Sequence, residues 1–121
     1  MEDRIRFIEH RSKQILLVDI SHCRPRELEK IALLVPSYVT SEPHNSVLLL
    51  ADFTGTEFDR IAIDRLKEAT VFDKPHLKRS AWVGIESLPH VFFEHIKNFS
   101  RRDLPTFKTR EEAMEWLVKE E

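Results

Sequence analysis

The side chains able to do chemistry in this 121-residue chain are few, and most stand at spacings that do not converge on one atom. Six histidines invite a metal site, but His90 and His95 lie five positions apart and so diverge on a helix, and neither HxxxH nor HExxH occurs. His22 stands beside the lone Cys23, and adjacent side chains cannot easily address the same ion. Cys23 has no CxxC partner, which excludes an internal disulfide and a thiolate zinc cluster; it reads as a small buried residue. No GxSxG elbow or comparable nucleophile motif is present. The expectation is therefore a protein without a metal, a cofactor or a catalytic centre.

Two groups of residues remain. The first is the run Asp52-Phe53-Thr54-Gly55-Thr56-Glu57-Phe58-Asp59, continuing into Arg60. It leads into a helix amino terminus, whose free N–H groups attract anions. Three carboxylates and the lack of a P-loop lysine oppose that use, and Asp59 is better placed to cap its own helix. A docking loop for a protein partner, with Phe53 and Phe58 as anchors, fits better. Gly55 in this run and Gly84 are the chain's two glycines, where average usage would give about eight. Both follow apolar runs, at the strand ends where α/β proteins bind ligands, and either could serve turn geometry or the close approach of a partner. The second group is Lys74, Lys78, Arg79, Arg101 and Arg102, in the connections entering two neighbouring strands. Gathered at the opposite sheet edge, they would form a patch for an anionic ligand or phospholipid headgroup; singly, they would complement helix carboxyl termini.

The positioning elements follow from hydrophobic period. Arg4 to His10 alternates like a partly exposed strand, and after the turn Arg11-Ser12-Lys13 the run Gln14 to Ile20 reads as a buried one, so the two predict a hairpin. From Pro25, Leu28, Ile31, Ala32, Val35, Tyr38 and Val39 mark one helix face, with Pro36 predicting a kink near Leu33 or two short helices. Ser46 to Phe53 is the clearest buried strand, Asp59 to Phe72 a helix with Ala62, Leu66 and Ala69 inward, and Ser80 to Ile85 a further strand. Ser87 is expected to cap a helix whose buried stripe is Leu88, Val91, Phe92, His95, Ile96 and Phe99, leaving Phe93 outside it. Leu104 to Phe107, holding Pro105, suits an edge strand, and Thr109 with Glu112 forms a capping box for a last helix with Ala113, Trp116 and Leu117 inward. The fold class is α/β: an N-terminal β-hairpin followed by successive αβ units, ββαβαβαβα, in a mixed, mostly parallel sheet.

Composition bounds the partners. Apolar residues make up 41% and charged residues 33%, ordinary for one globular domain of residues 1–121. Nineteen basic against 21 acidic residues leave a formal charge of −2, so no global field favours nucleic acid or an anionic membrane. No apolar run approaches a membrane span and the first residues do not resemble a signal peptide, which predicts a cytoplasmic protein without integral membrane association.

Three segments carry a family likeness: Glu42-Pro43-His44-Asn45-Ser46-Val47-Leu48-Leu49-Leu50-Ala51-Asp52-Phe53-Thr54-Gly55, then Lys78-Arg79-Ser80-Ala81-Trp82-Val83-Gly84, then Phe107-Lys108-Thr109-Arg110-Glu111-Glu112-Ala113-Met114-Glu115-Trp116-Leu117. In this order, over residues 4–118, the chain resembles the SpoIIAA-like proteins of the STAS (anti-sigma-factor-antagonist) superfamily. The resemblance implies a small intracellular non-enzymatic fold of successive βα units that binds a protein partner, a nucleotide or a lipid-like ligand. Antagonist members carry a phosphorylated serine in the loop after the strand corresponding to Ser46–Phe53. Here the matching stretch is Phe58-Asp59-Arg60-Ile61, without a serine, so the phosphorylation switch is not expected.

The expected function is a non-catalytic interaction module using the Asp52–Asp59 loop and Arg60, with Gly84 nearby. The alternative is a domain binding a small apolar or anionic ligand, nucleotide or lipid, in a pocket lined by Trp82 and Phe92. Because Ile15–Val18, Val47–Ala51 and Ala81–Ile85 are apolar on both faces, a sheet with helices on one side would need a second subunit, a returning helix or a ligand on the other. A homodimer is the commonest solution.

Overall fold

The computed structural model describes residues 2–101 and 103–119, so Arg102 of the basic group lies outside the described residues. Its apolar runs form five strands, β1 (Ile5–His10), β2 (Lys13–Asp19), β3 (Val47–Asp52), β4 (Leu77–Val83) and β5 (Thr106–Phe107). Four helices accompany them, α1 (Pro25–Val39), α2 (Arg60–Asp73), α3 (His90–Ser100) and α4 (Arg110–Leu117). The strands lie in one sheet in chain order; β1 and β2 are antiparallel and the remaining neighbours parallel.

The β1–β2 hairpin closes through Arg11 and Ser12, both left-handed at φ 50 and 67, the conformation that a two-residue turn requires to match strand twist. β3, central in the sheet, is buried at every position because helices cover both of its faces. On one face, Leu16, Val18, Leu49, Ala51 and Trp82 pack with Leu28, Ile31 and Val35 of α1, Ala62, Ile63 and Leu66 of α2, and Phe93 and Ile96 of α3. On the other, Ile15, Leu17, Leu48, Leu50, Ala81 and Val83 pack with Ala113 and Leu117 of α4 and with Val118.

That second layer removes the ground for a homodimer. α4 follows the last strand, so no further crossover constrains it, and it folds back under the face that the other helices leave open. Of the three ways to cover this face, the returning helix is the one found.

Two helix expectations need correction. Pro36 does not split α1 into two short helices: the helix runs unbroken from Pro25 to Val39, and the burial of Leu28, Ile31, Ala32, Val35 and Val39 offsets the hydrogen bond that the proline removes. In α3 the buried set is Phe93, Ile96 and Ser100 rather than the Val91–Phe92–His95–Phe99 stripe. Val91 and Phe99 are 68% and 54% exposed, and His95 faces solvent. Ser87 does not cap the helix either: Pro89 is its N-cap, while the Ser87 hydroxyl donates to the Phe53 carbonyl at 3.4 Å. Leu88 lies before the helix, just after the short 3₁₀ turn Ile85–Ser87, so a helix that starts at His90 turns a different face inward. Phe93 instead packs against Trp82, ring centroids 5.8 Å apart.

Leu117→Ala should thus cost about 2–5 kcal/mol in urea unfolding, while the exposed His95→Asp should stay within about 0.5 kcal/mol. A large loss at His95 would restore the rejected stripe.

Candidate functional site

Adjacent strands β2 and β3 end in register on two carboxylates, Asp19 opposite Asp52. Each is followed, two residues on, by a hydroxyl residue. Asp19 Oδ1 accepts from Ser21 N–H at 3.1 Å and Ser21 Oγ at 2.5 Å; Asp52 Oδ1 accepts from Thr54 N–H at 2.9 Å and Thr54 Oγ1 at 2.7 Å. These paired Asx turns bend both chains in the same way beyond the sheet.

The turns are then laced together. Ile20 N–H donates to the Asp52 carbonyl at 2.9 Å, His22 N–H to Thr54 at 2.8 Å, Glu57 N–H to Cys23 at 2.9 Å and Phe53 N–H to Val83 at 2.8 Å. Thr56, buried, donates its hydroxyl to the Ile20 carbonyl at 2.6 Å. Both glycines belong to this lacing. Each has positive φ, and an added Cβ would come within 2.4 Å of the His22 ring at Gly55 and within 2.3 Å of Thr54 Oγ1 at Gly84. They permit one turn to rest on the next.

Arg110, the first residue of α4, closes the edge from the opposite face. Its Nε donates to Asp52 Oδ2 at 2.6 Å, and its Nη2 lies 3.2 Å from Asp19 Oδ1. Arg4 reaches the same corner through the carbonyls of Asp19 and Ser21, at 3.2 and 3.0 Å. Burial pushes the Asp19 carboxyl upward in pKa, but the Ser21 bonds and the charges of Arg110 and Arg4 outweigh it, leaving the group below the usual carboxylate range. Burial likewise disfavours the Arg110 cation, and the Asp52 and Asp19 carboxylates more than restore it, so its pKa is raised. Burial is the main influence that pushes the Cys23 thiol up, which disfavours its thiolate.

The expected loop is thus divided. Phe53 is wholly buried, its ring 4.6 Å from Trp82, and Phe58 packs beside it at 6.0 Å, half-buried against the core. Phe53 cannot anchor a partner as the sequence suggested, because its ring fills the layer beneath the loop, whereas Phe58 keeps part of its ring exposed. Asp52, Thr56 and Gly84 are buried, while Thr54, Gly55, Glu57 and Arg60 are exposed, joined by His22 and Arg24 from the preceding turn. Asp59 caps α2 by accepting from Ala62 N–H at 2.8 Å, and pairs with Arg26 at 3.0 Å. Sequence reasoning missed Asp19, Ser21, His22, Arg4 and Arg110. The signal available for the first two was the repeated pattern Asp-x-Ser/Thr at the end of two apolar runs.

The pocket expected beside Trp82 is a void of about 40 Å³ lined by residues such as Val18, Ile31, Leu49 and Leu66, without Phe92. It has room for about one water, far below the roughly 300–1,000 Å³ of a ligand site. Lys74, Lys78, Arg79 and Arg101 do converge, on a groove at the opposite edge. Among the described residues no group of three His, Cys, Asp or Glu is arranged to hold a metal ion, and no helix is long and apolar enough to cross a membrane.

No protein-family model, curated protein or solved structure matches the chain.

With its folded pKa lowered, Asp19 contributes stability that is complete above its unfolded value and is lost as pH falls through the folded one. Wild-type unfolding free energy should therefore decline on acidification below about pH 5, and Asp19→Asn, less stable at neutrality, should show a shallower decline. Parallel pH profiles for the two proteins would show that Asp19 is not held by this network.

Proposed function

We propose that this chain is a non-catalytic interaction module of STAS type, acting in the cytoplasm, whose partner-binding surface is the carboxyl edge of the parallel sheet. The supporting observation is the state of the two strand-end carboxylates. Asp19 and Asp52 occupy the position where open α/β sheets place their chemistry, yet both are engaged by hydroxyls, backbone N–H groups and Arg110. Groups so engaged serve as struts that hold the two turns in place. What they hold out is a fixed surface of Thr54, Gly55, Glu57, Arg60 and His22.

A surface already ordered before binding loses little entropy on association, which suits a module that recognises a protein. The resemblance to SpoIIAA-like proteins agrees with this use of the loop after β3. The chain departs from those relatives in having Asp59 as a helix cap rather than a phosphorylated serine, so binding is proposed to be independent of phosphorylation. A small apolar ligand is disfavoured by the size of the void beside Trp82.

Photo-crosslinking in the native cell tests this reading. A photoreactive residue at Thr54 or Glu57 should capture one discrete partner, Arg60→Glu should abolish the capture, and the same residue at Lys30 on α1 should capture none. Equal capture from Lys30, or none from the loop, would contradict it.

A further inference from the structure

The opposite, amino-terminal edge of the sheet carries a second concentration of chemistry. Two open grooves, about 420 Å³ and about 290 Å³, lie there side by side and share Lys78 and Arg79. The larger adds Lys13, Lys119 and Ser46; the smaller adds Lys74 and Arg101. Among the described residues, six basic side chains thus line the pair against a single carboxylate, Asp103, in a chain whose formal charge is −2.

Helix termini explain half of these cations. Lys13 Nζ donates to the Val118 carbonyl at 3.2 Å, Arg79 to Trp116 at 2.8 Å with its guanidinium over the Trp116 ring, and Lys74 to Arg101 at 3.1 Å. These bonds fix where the charges sit. They do not account for Lys78, Arg101 and Lys119, which are exposed and have no ion pair with any described residue. Arg101 moreover adopts the left-handed conformation at the end of α3, φ 55, where a glycine would be the unstrained choice.

We infer that these twin grooves bind a soluble small molecule carrying two phosphoryl groups, one for each lobe, with Lys78 and Arg79 between them. Two lobes joined at a shared pair of cations match two anionic groups linked by a short bridge, and the fork of an arginine suits phosphoryl oxygens. A membrane surface fits less well: the lining is concave, and among the described residues no exposed large apolar side chain, such as Phe72, Val91 or Phe99, lies in it to enter a bilayer. The inference stands apart from the partner surface, which lies at the other end of the same strands.

Inorganic pyrophosphate titrated into the isotope-labelled full chain is the test, with amide chemical shifts as the readout. Saturable shifts are expected at Ser46, Lys78, Ser80 and Arg101. Lys78→Glu and Arg101→Asn, the second chosen because asparagine tolerates the left-handed conformation, should each weaken binding by roughly tenfold at an unchanged unfolding midpoint. Lys30→Glu, an equal charge reversal on α1, should stay within about twofold. The inference is overturned by the absence of saturable shifts up to about 10 mM. It is equally overturned if Lys30→Glu weakens binding as much as Lys78→Glu, or if the chain sediments with phosphatidylglycerol vesicles but does not bind pyrophosphate.

Discussion

The guanidinium of Arg110 reaches two carboxylates on adjacent strands, and much of this fold depends on that contact. A cation in the first turn of a helix opposes the helix dipole, and an eight-residue helix is too short to be stable alone. Asp52 and Asp19 more than offset the dipole, since a paired, partly buried charge is worth more than the few tenths of a kcal/mol of an exposed dipole contact. At its other end α4 is met by Arg79 and Lys13 on its last carbonyls. The helix is thus fixed at both termini by side chains from the sheet that it covers, and the aliphatic face beneath it stays buried without a second subunit.

The same carboxylates shape the opposite side of the contact. Each organises its own turn through a hydroxyl two residues on, and the turns rest on each other where Gly55 and Gly84 leave room. A side chain in either place would meet His22 or Thr54, so two glycines in 121 residues stand where three turns must touch. Losing one partner of such a network is expected to cost more than the net contribution of the pair, because the remaining charge is left partly buried and unpaired. Structure and surface are therefore coupled: the residues that dock α4 also set the pose of Thr54 and Glu57.

Much of the fold was legible in the chain because its signals are periodic and local. The hairpin, the buried β3, the N-caps at Asp59 and Thr109 and the inward face of α4 all follow from patterns within a few residues. The phase of α3 was not legible, since it depends on where Pro89 starts the helix, and Leu88 belongs to the turn before it. The anchoring role given to Phe53 failed for a related reason: an aromatic residue in a loop reads as exposed until the core beneath it is known. Arg110 was hardest to foresee. Its partners lie 58 and 91 residues away in sequence, and only the return of α4 beneath the sheet brings them together.

Native-state hydrogen exchange at the edge tests the central claim, that the carboxyl-end turns form one preordered surface held by Arg110. The amides of His22, Thr54 and Glu57 should exchange in the wild type as slowly as those of β3. In Arg110→Ala they should exchange faster than β3, by local opening. Fast exchange at these three amides in the wild type, or no selective change in the variant, would contradict the account.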